Sequence, residues 1–152
     1  MALAAELIET WQISARLNLF MIEDIADEAW ESKAEKSKTP CGHFLHIHNV
    51  RLMWLKASAP VLLGDLTKLE GATSRADLSE ALGRSAGAIA QLIALGLKEE
   101  RIKGFKPHPV AFVGYLIAHE AFHRSQAELV LRQVGHPISD KIAYGLWEWG
   151  VR

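Results

Sequence analysis

The 152-residue chain has a single cysteine, Cys41, and so cannot close an internal disulfide. That fits a reducing compartment, and a cytoplasmic protein is expected. Neither charge is in excess: 17 basic side chains stand against 18 acidic ones, and residues 1–76 carry 8 basic and 10 acidic groups against 9 and 8 in residues 77–152. No basic face for nucleic acid and no charged tail follows from such a balance. Long hydrophobic runs are missing as well. The charge-free stretch from Pro107 to His119 is too short to span a bilayer and contains two prolines and two histidines. The opening residues lack a basic region and meet Glu6 and Glu9 within the first turns, so no signal peptide is expected. Strand signals are nearly absent, since no segment alternates apolar and polar for more than a few positions. With no internal repeat, low-complexity tract or long linker, residues 1–152 are expected to form one globular domain. A chain of this size holds a core without metal staples, so any metal here is expected to be functional.

What is present is helical periodicity. Residues 3–21 place Ala4, Ile8, Trp11, Ala15 and Leu19 on one stripe. The acidic run after it, from Glu23 to Lys38, reads as a solvated connection with a short helical turn. Thr39 before Pro40 is the chemistry of a helix start, and the second helix should run to about Ser58, ahead of Pro60. Residues around Gly64 and Gly71 form a loop. Ser74 or Thr73 can cap a third helix over 75–98. The fourth should run from Pro109 to Val134 and stop at Gly135. Ser139 or Asp140 starts a short fifth helix carrying Tyr144, Trp147 and Trp149. The expected fold is all-α: an antiparallel four-helix bundle with a short fifth C-terminal helix.

Three of the seven histidines give the bundle its chemistry. On the fourth helix, Phe112, Leu116, His119, His123, Gln126 and Val130 share one stripe, so two imidazoles interrupt an apolar face one turn apart. Buried side by side, each would need its own hydrogen-bond partner, whereas one metal ion satisfies both. The third candidate lies in Thr39-Pro-Cys-Gly-His-Phe-Leu-His-Ile-His48. At about 100° per residue, His43 and His46 lie roughly 60° apart and His48 points about 160° away from His46. His46 leads onto Val50, Met53 and Ala57, a stripe expected to face the core, and is the preferred ligand. His43 lines the mouth of the site or replaces His46. His48 reads as an ordinary surface or interface histidine. Cys41 and His43 joining the site would instead make a closed structural ion.

His119-Glu120-Ala-Phe-His123 also matches H-E-x-x-H, the zinc-peptidase signature in which Glu is the general base. The extended form would need Gly and His where Gln126 and Leu129 stand, and no strand is at hand to hold a peptide. Glu120 lies about 100° off the ligand face, which favours an ion pair over a general base.

The chain resembles the DinB-like, or YfiT-like, family. The match rests on Thr39 at a helix start with His46-Ile47 seven residues on, on the His119-x-x-x-His123-x-x-Gln126 run, and on a final Trp147-Glu-Trp-Gly150. The resemblance implies a four-helix bundle with a divalent metal held by three histidines, frequently a homodimer. It also implies thiol-dependent transferases or isomerases that use bacillithiol, mycothiol or glutathione. Carried onto this sequence, the ligands are His46, His119 and His123. Where Gly commonly precedes the Gln of the motif, Ser125 stands here, which leaves the ligands intact but bears on substrate shape.

The leading reading is a metal-dependent enzyme in which a divalent ion (Zn, Ni, Fe or Mn, which three nitrogen ligands do not distinguish) activates a low-molecular-weight thiol or water toward a small-molecule substrate. Gln126 is the candidate to hydrogen-bond the ligand shell or substrate, and Glu120 the weaker catalytic candidate. Tyr115, Tyr144 and Trp147 are pocket or core aromatics, and Arg101, Lys103 and Lys106 form a solvated loop that could attract an acidic thiol. The alternative readings are a non-enzymatic interaction bundle with a structural metal or none, and the H-E-x-x-H peptidase.

Overall fold

A computed structural model describes residues 2–152. Five α-helices follow one another, α1 (Ala2–Asp24), α2 (Pro40–Ser58), α3 (Arg75–Glu99), α4 (Pro109–Gln133) and α5 (Asp140–Gly145), with short 3-10 turns at Asp27–Ala29, Pro60–Leu63 and Trp149–Val151. No strand occurs among the described residues. None of the described helices is long and apolar enough to cross a membrane.

Local chemistry sets the boundaries. The Thr39 hydroxyl accepts from the Gly42 amide at 2.9 Å and Pro40 occupies the first helical position of α2. Ser74 caps α3 in the same way through the Asp77 amide, and Ser139 caps α5 through Ile142. Ahead of α4 the cap is His108, whose Nδ1 accepts from the Ala111 amide. α4 stops where Gly135 takes a positive φ of 83° and the His136 amide turns back to the Leu131 carbonyl. At the end of α3 a Cβ on Gly96 would overlap the Ile102 side chain, so the chain doubles back closely only over glycine.

The four long helices pack with α1 against α3 and α4, and α2 against the same two. Two apolar clusters show their directions. One joins Trp11 and Ala15 of α1 to Leu55 of α2, Ile89 and Ile93 of α3, and Phe112 and Leu116 of α4. The other joins Met21 and Ile22 to Phe44 and Ile47, Leu78 and Leu82, and Ala127 and Leu131. α1 and α4 therefore run one way and α2 and α3 the other. The expected all-α bundle with a short fifth helix is present, but two of its four neighbouring pairs, α2/α3 and α1/α4, are parallel. The connections 25–39 and 59–74 are long enough to carry the chain across the bundle. The first of them is not simply solvated: Ile25, Ala29 and Trp30 are buried, and the Trp30 indole donates to the Thr73 carbonyl at 2.9 Å.

Between the apolar clusters lies a polar layer of Ser14, Asn18, His48, Arg51, Ser85, Glu120 and Arg124, all buried. Arg51 grips Glu120 through two bonds of 2.7 Å and donates to the Leu82 carbonyl at 2.8 Å. Asn18 donates to the same carboxylate at 2.8 Å and accepts from Arg124 at 2.8 Å. His48 donates from Nε2 to the Thr67 carbonyl at 3.0 Å and meets Ser85 through Nδ1 at 3.1 Å.

Candidate metal centre

The face that α2 turns inward carries Phe44, Ile47, Arg51 and Leu55. The expected core stripe through Val50, Met53 and Ala57 is not the one used: Met53 is 52% exposed and Ala57 is exposed too. The stripe used instead is a second apolar one, Phe44, Ile47 and Leu55, which also carries Arg51 to its place beside Glu120. His46 consequently stands at the border of the core, partly buried. On α4 the inward face is Leu116, Glu120, Ala127 and Leu131, and His119 and His123 flank it, also partly buried.

These three histidines converge. One ring nitrogen from each of His46, His119 and His123 lies within 4.8 Å of the other two. The ring centroids are 4.4 Å apart for His46 and His123, 4.7 Å for His119 and His123, and 5.4 Å for His46 and His119. Burial lowers the pKa of His119, and of His46 together with the neighbouring His119 charge. Burial first, and then the neighbouring His46, His119 and His43, hold His123 at about 4. At neutral pH all three offer lone pairs. Three neutral imidazoles brought to one point without an acidic side chain among them are a donor set that suits a divalent ion, so the residues present fit one.

His43 stands behind the triad, not in it. It is buried, and its Nδ1 lies 3.1 Å from Nδ1 of His123. One of those nitrogens carries the proton and the other accepts it. When His123 is the donor, its Nε2 keeps a free lone pair, so the contact sets which nitrogen of His123 can bind a metal. Tyr115, one turn before His119, stacks on that ring at 6.1 Å with 21° between planes. Gln126 is partly buried one turn beyond His123 and makes no side-chain hydrogen bond among the described residues.

Several other expectations are corrected. His48 is not at the surface: it is 1% exposed and tied into the polar layer. Cys41 does not join the histidines. It is buried against the Thr73 carbonyl, and burial, with Glu31 nearby, pushes its thiol up to about 12. Tyr144 and Trp147 are exposed, and Trp147 and Trp149 lie beyond the end of α5. Glu120 is 1% exposed, with both oxygens taken by Arg51 and Asn18. It forms the ion pair that its angle on the helix favoured.

A family model for the DinB family matches residues 1–148, nearly the whole chain. The chain belongs to the DinB family. No curated protein matches it. For this DinB-family protein the residues that sequence reasoning overlooked are Asn18, Arg51 and Arg124, which carry the polar layer beneath the histidines. One signal was available: Phe44, Ile47, Arg51 and Leu55 recur at helical spacing, with a charge in an otherwise apolar stripe.

Proposed function

We propose that His46, His119 and His123 hold a divalent metal ion and that the protein is a metal-dependent enzyme acting on a small molecule through an activated low-molecular-weight thiol or water. The observation that carries this reading is the convergence of three neutral imidazoles within 4.8 Å at the border of the core, where they are only partly buried. A structural ion has its coordination closed by protein, whereas three ligands with an exposed side leave positions for substrate. When bound there, the ion supplies Lewis acidity that lowers the pKa of a coordinated thiol or water.

The chain's own residues do the remainder. His43 shares one proton with His123 between their Nδ1 atoms, and His123 as the donor keeps its Nε2 lone pair for the ion. Tyr115 stands beside His119 with its ring centroid 6.1 Å away and lines that side of the site. Gln126, on the turn after His123, has a free amide to orient a substrate. The exposed basic residues Arg101, Lys103 and Lys106 lie in the connection to α4, near Phe105, which packs on Tyr115 at 5.5 Å. They offer positive charge to an acidic thiol. A peptidase reading finds no support in Glu120, whose carboxylate is committed inside the bundle.

Elemental analysis of the purified protein beside His119→Ala tests the metal: the wild type should hold about one divalent ion per chain and the variant much less. Equal contents would refute the site. For metal-loaded protein, disappearance of a low-molecular-weight thiol with an electrophile supports transfer, and turnover of the electrophile without a thiol supports hydrolysis.

A further inference from the structure

The polar layer does not balance its charges. It contains two guanidinium groups, Arg51 and Arg124, and one carboxylate, Glu120. Arg51 takes both oxygens of that carboxylate. Arg124, with 8% of its surface exposed, makes no direct ion pair and feels Glu120 only at longer range: its Nη1 donates to the Asn18 side-chain oxygen at 2.8 Å and reaches the Ser14 carbonyl at 3.5 Å. Its Nε and Nη2 make no hydrogen bond among the described residues, yet they are not among the fully enclosed unpaired atoms. Arg124 is one of the residues that line a cavity open to the surface.

That cavity, of about 490 Å³, lies between α4, the end of α1 and the segment after α5. Its walls are mostly apolar, from Met21, Ile117, Ala121, Leu146, Trp147 and Trp149, and its polar lining is Arg124, Ser125 and Glu128. The Glu128 carboxylate is occupied by Arg132 at 3.0 Å. On α4 the cavity residues and the metal-site histidines face roughly 160° apart, so the two features are on opposite sides of the helix.

We propose that this cavity is a second binding site, for a small apolar monocarboxylate whose carboxylate pairs with Arg124. A buried cation without a direct ion pair is costly, and an anion delivered from outside offsets that cost through charge-assisted bonds to the unused Nε and Nη2. The apolar walls take an alkyl or aryl body, and the volume is in the usual range for small-ligand sites. Glu128 at the lining disfavours a second negative charge on the ligand.

Calorimetric titration with octanoate, octan-1-ol and octylamine tests this. Octanoate should bind saturably at one site per chain, and the alcohol and the amine about tenfold more weakly or not at all. Arg124→Gln should bring octanoate down to the level of the alcohol. Because that change also removes the bond to Asn18, Ala121→Phe gives a second arm: it fills the cavity, leaves the polar layer intact, and should abolish binding while the melting temperature stays near that of the wild type. His119→Ala should bind octanoate as the wild type does. Absence of saturable binding, equal affinity for octanoate and octan-1-ol, undiminished binding by a folded Ala121→Phe protein, or loss of binding in His119→Ala would each overturn the proposal.

Discussion

His43 shows how much one side chain outside the ligand set can decide. Its contact with His123 is a choice between two tautomers, only one of which leaves Nε2 of His123 free. His43→Ala should therefore weaken metal binding by about 10- to 100-fold with little change in fold, measured by competition against a chelator of known affinity. An unchanged affinity would remove His43 from any role in positioning. The same cluster governs the acid response of the metal-free protein. His123 is held at about 4 against an ordinary value of 6.5. Between those values the unfolded chain takes up a proton that the folded chain refuses, so stability falls as the pH drops from about 6.5 toward 4. His43, His46 and His119 shift in the same direction and add to the effect. Melting curves in chelator at pH 7.5 and 5 should show a lower midpoint at pH 5, and His123→Gln should narrow the gap. A wild-type midpoint that is the same at both pH values contradicts the assignment.

At the scale of the element, α2 is the helix whose ends are plain in the sequence and whose face is not. Thr39, Pro40 and Pro60 mark its limits by chemistry that acts within a few residues: a hydroxyl that reaches an amide, and rings that cannot continue a helix. The face depends on partners from other helices. Met53 and Ala57 look like core residues until Arg51 is seen to pair with Glu120, 69 positions further on. His46 joins the cluster although the stripe through Val50, Met53 and Ala57 that favours it in the sequence does not face the core; only the resemblance, with His46-Ile47 seven residues after Thr39, points to it on other grounds. On α4 the spacing of His119 and His123 was legible, whereas the burial of Glu120 and Arg124 between them and beyond depends on α1 and α2. The first turn of α2 bears directly on the site, as it carries His43 and leads to His46. Thr39→Ala should cost about 1 kcal/mol of stability in denaturant unfolding. It should also lower metal affinity, since a frayed first turn no longer fixes either histidine. A loss of stability with full metal affinity would mean that the cap and the site are independent.

For the whole molecule, the helical class and the number of long helices could be read from periodicity, but the order in which they pack could not. Parallel pairing of α2 with α3 follows from the long connections and from the contacts of Trp30 with Thr73, none of which leaves a periodic trace. The polar layer is the other global feature, and its energetics separate stability from specificity. Removing one partner, as in Glu120→Ala, strands a buried guanidinium and should destabilise the fold by about 3–5 kcal/mol. Replacing both, as in Arg51→Met with Glu120→Leu, should leave unfolding free energy near the wild-type value or above it. If the double variant is as unstable as the single one, the layer contributes net stability.

The double variant also isolates a property that neither apolar cluster supplies. Leucine and phenylalanine tolerate sliding, because one apolar contact is much like the next a turn away. A two-pronged bond between Arg51 and Glu120 does not. If α4 slipped along α2 by one turn, about 5.4 Å, both prongs would break at once and two charges would be left unpaired in the core. Glu120 is the immediate neighbour of His119, so the bond works as an index pin that sets the axial alignment of the two helices on which all four clustered histidines ride.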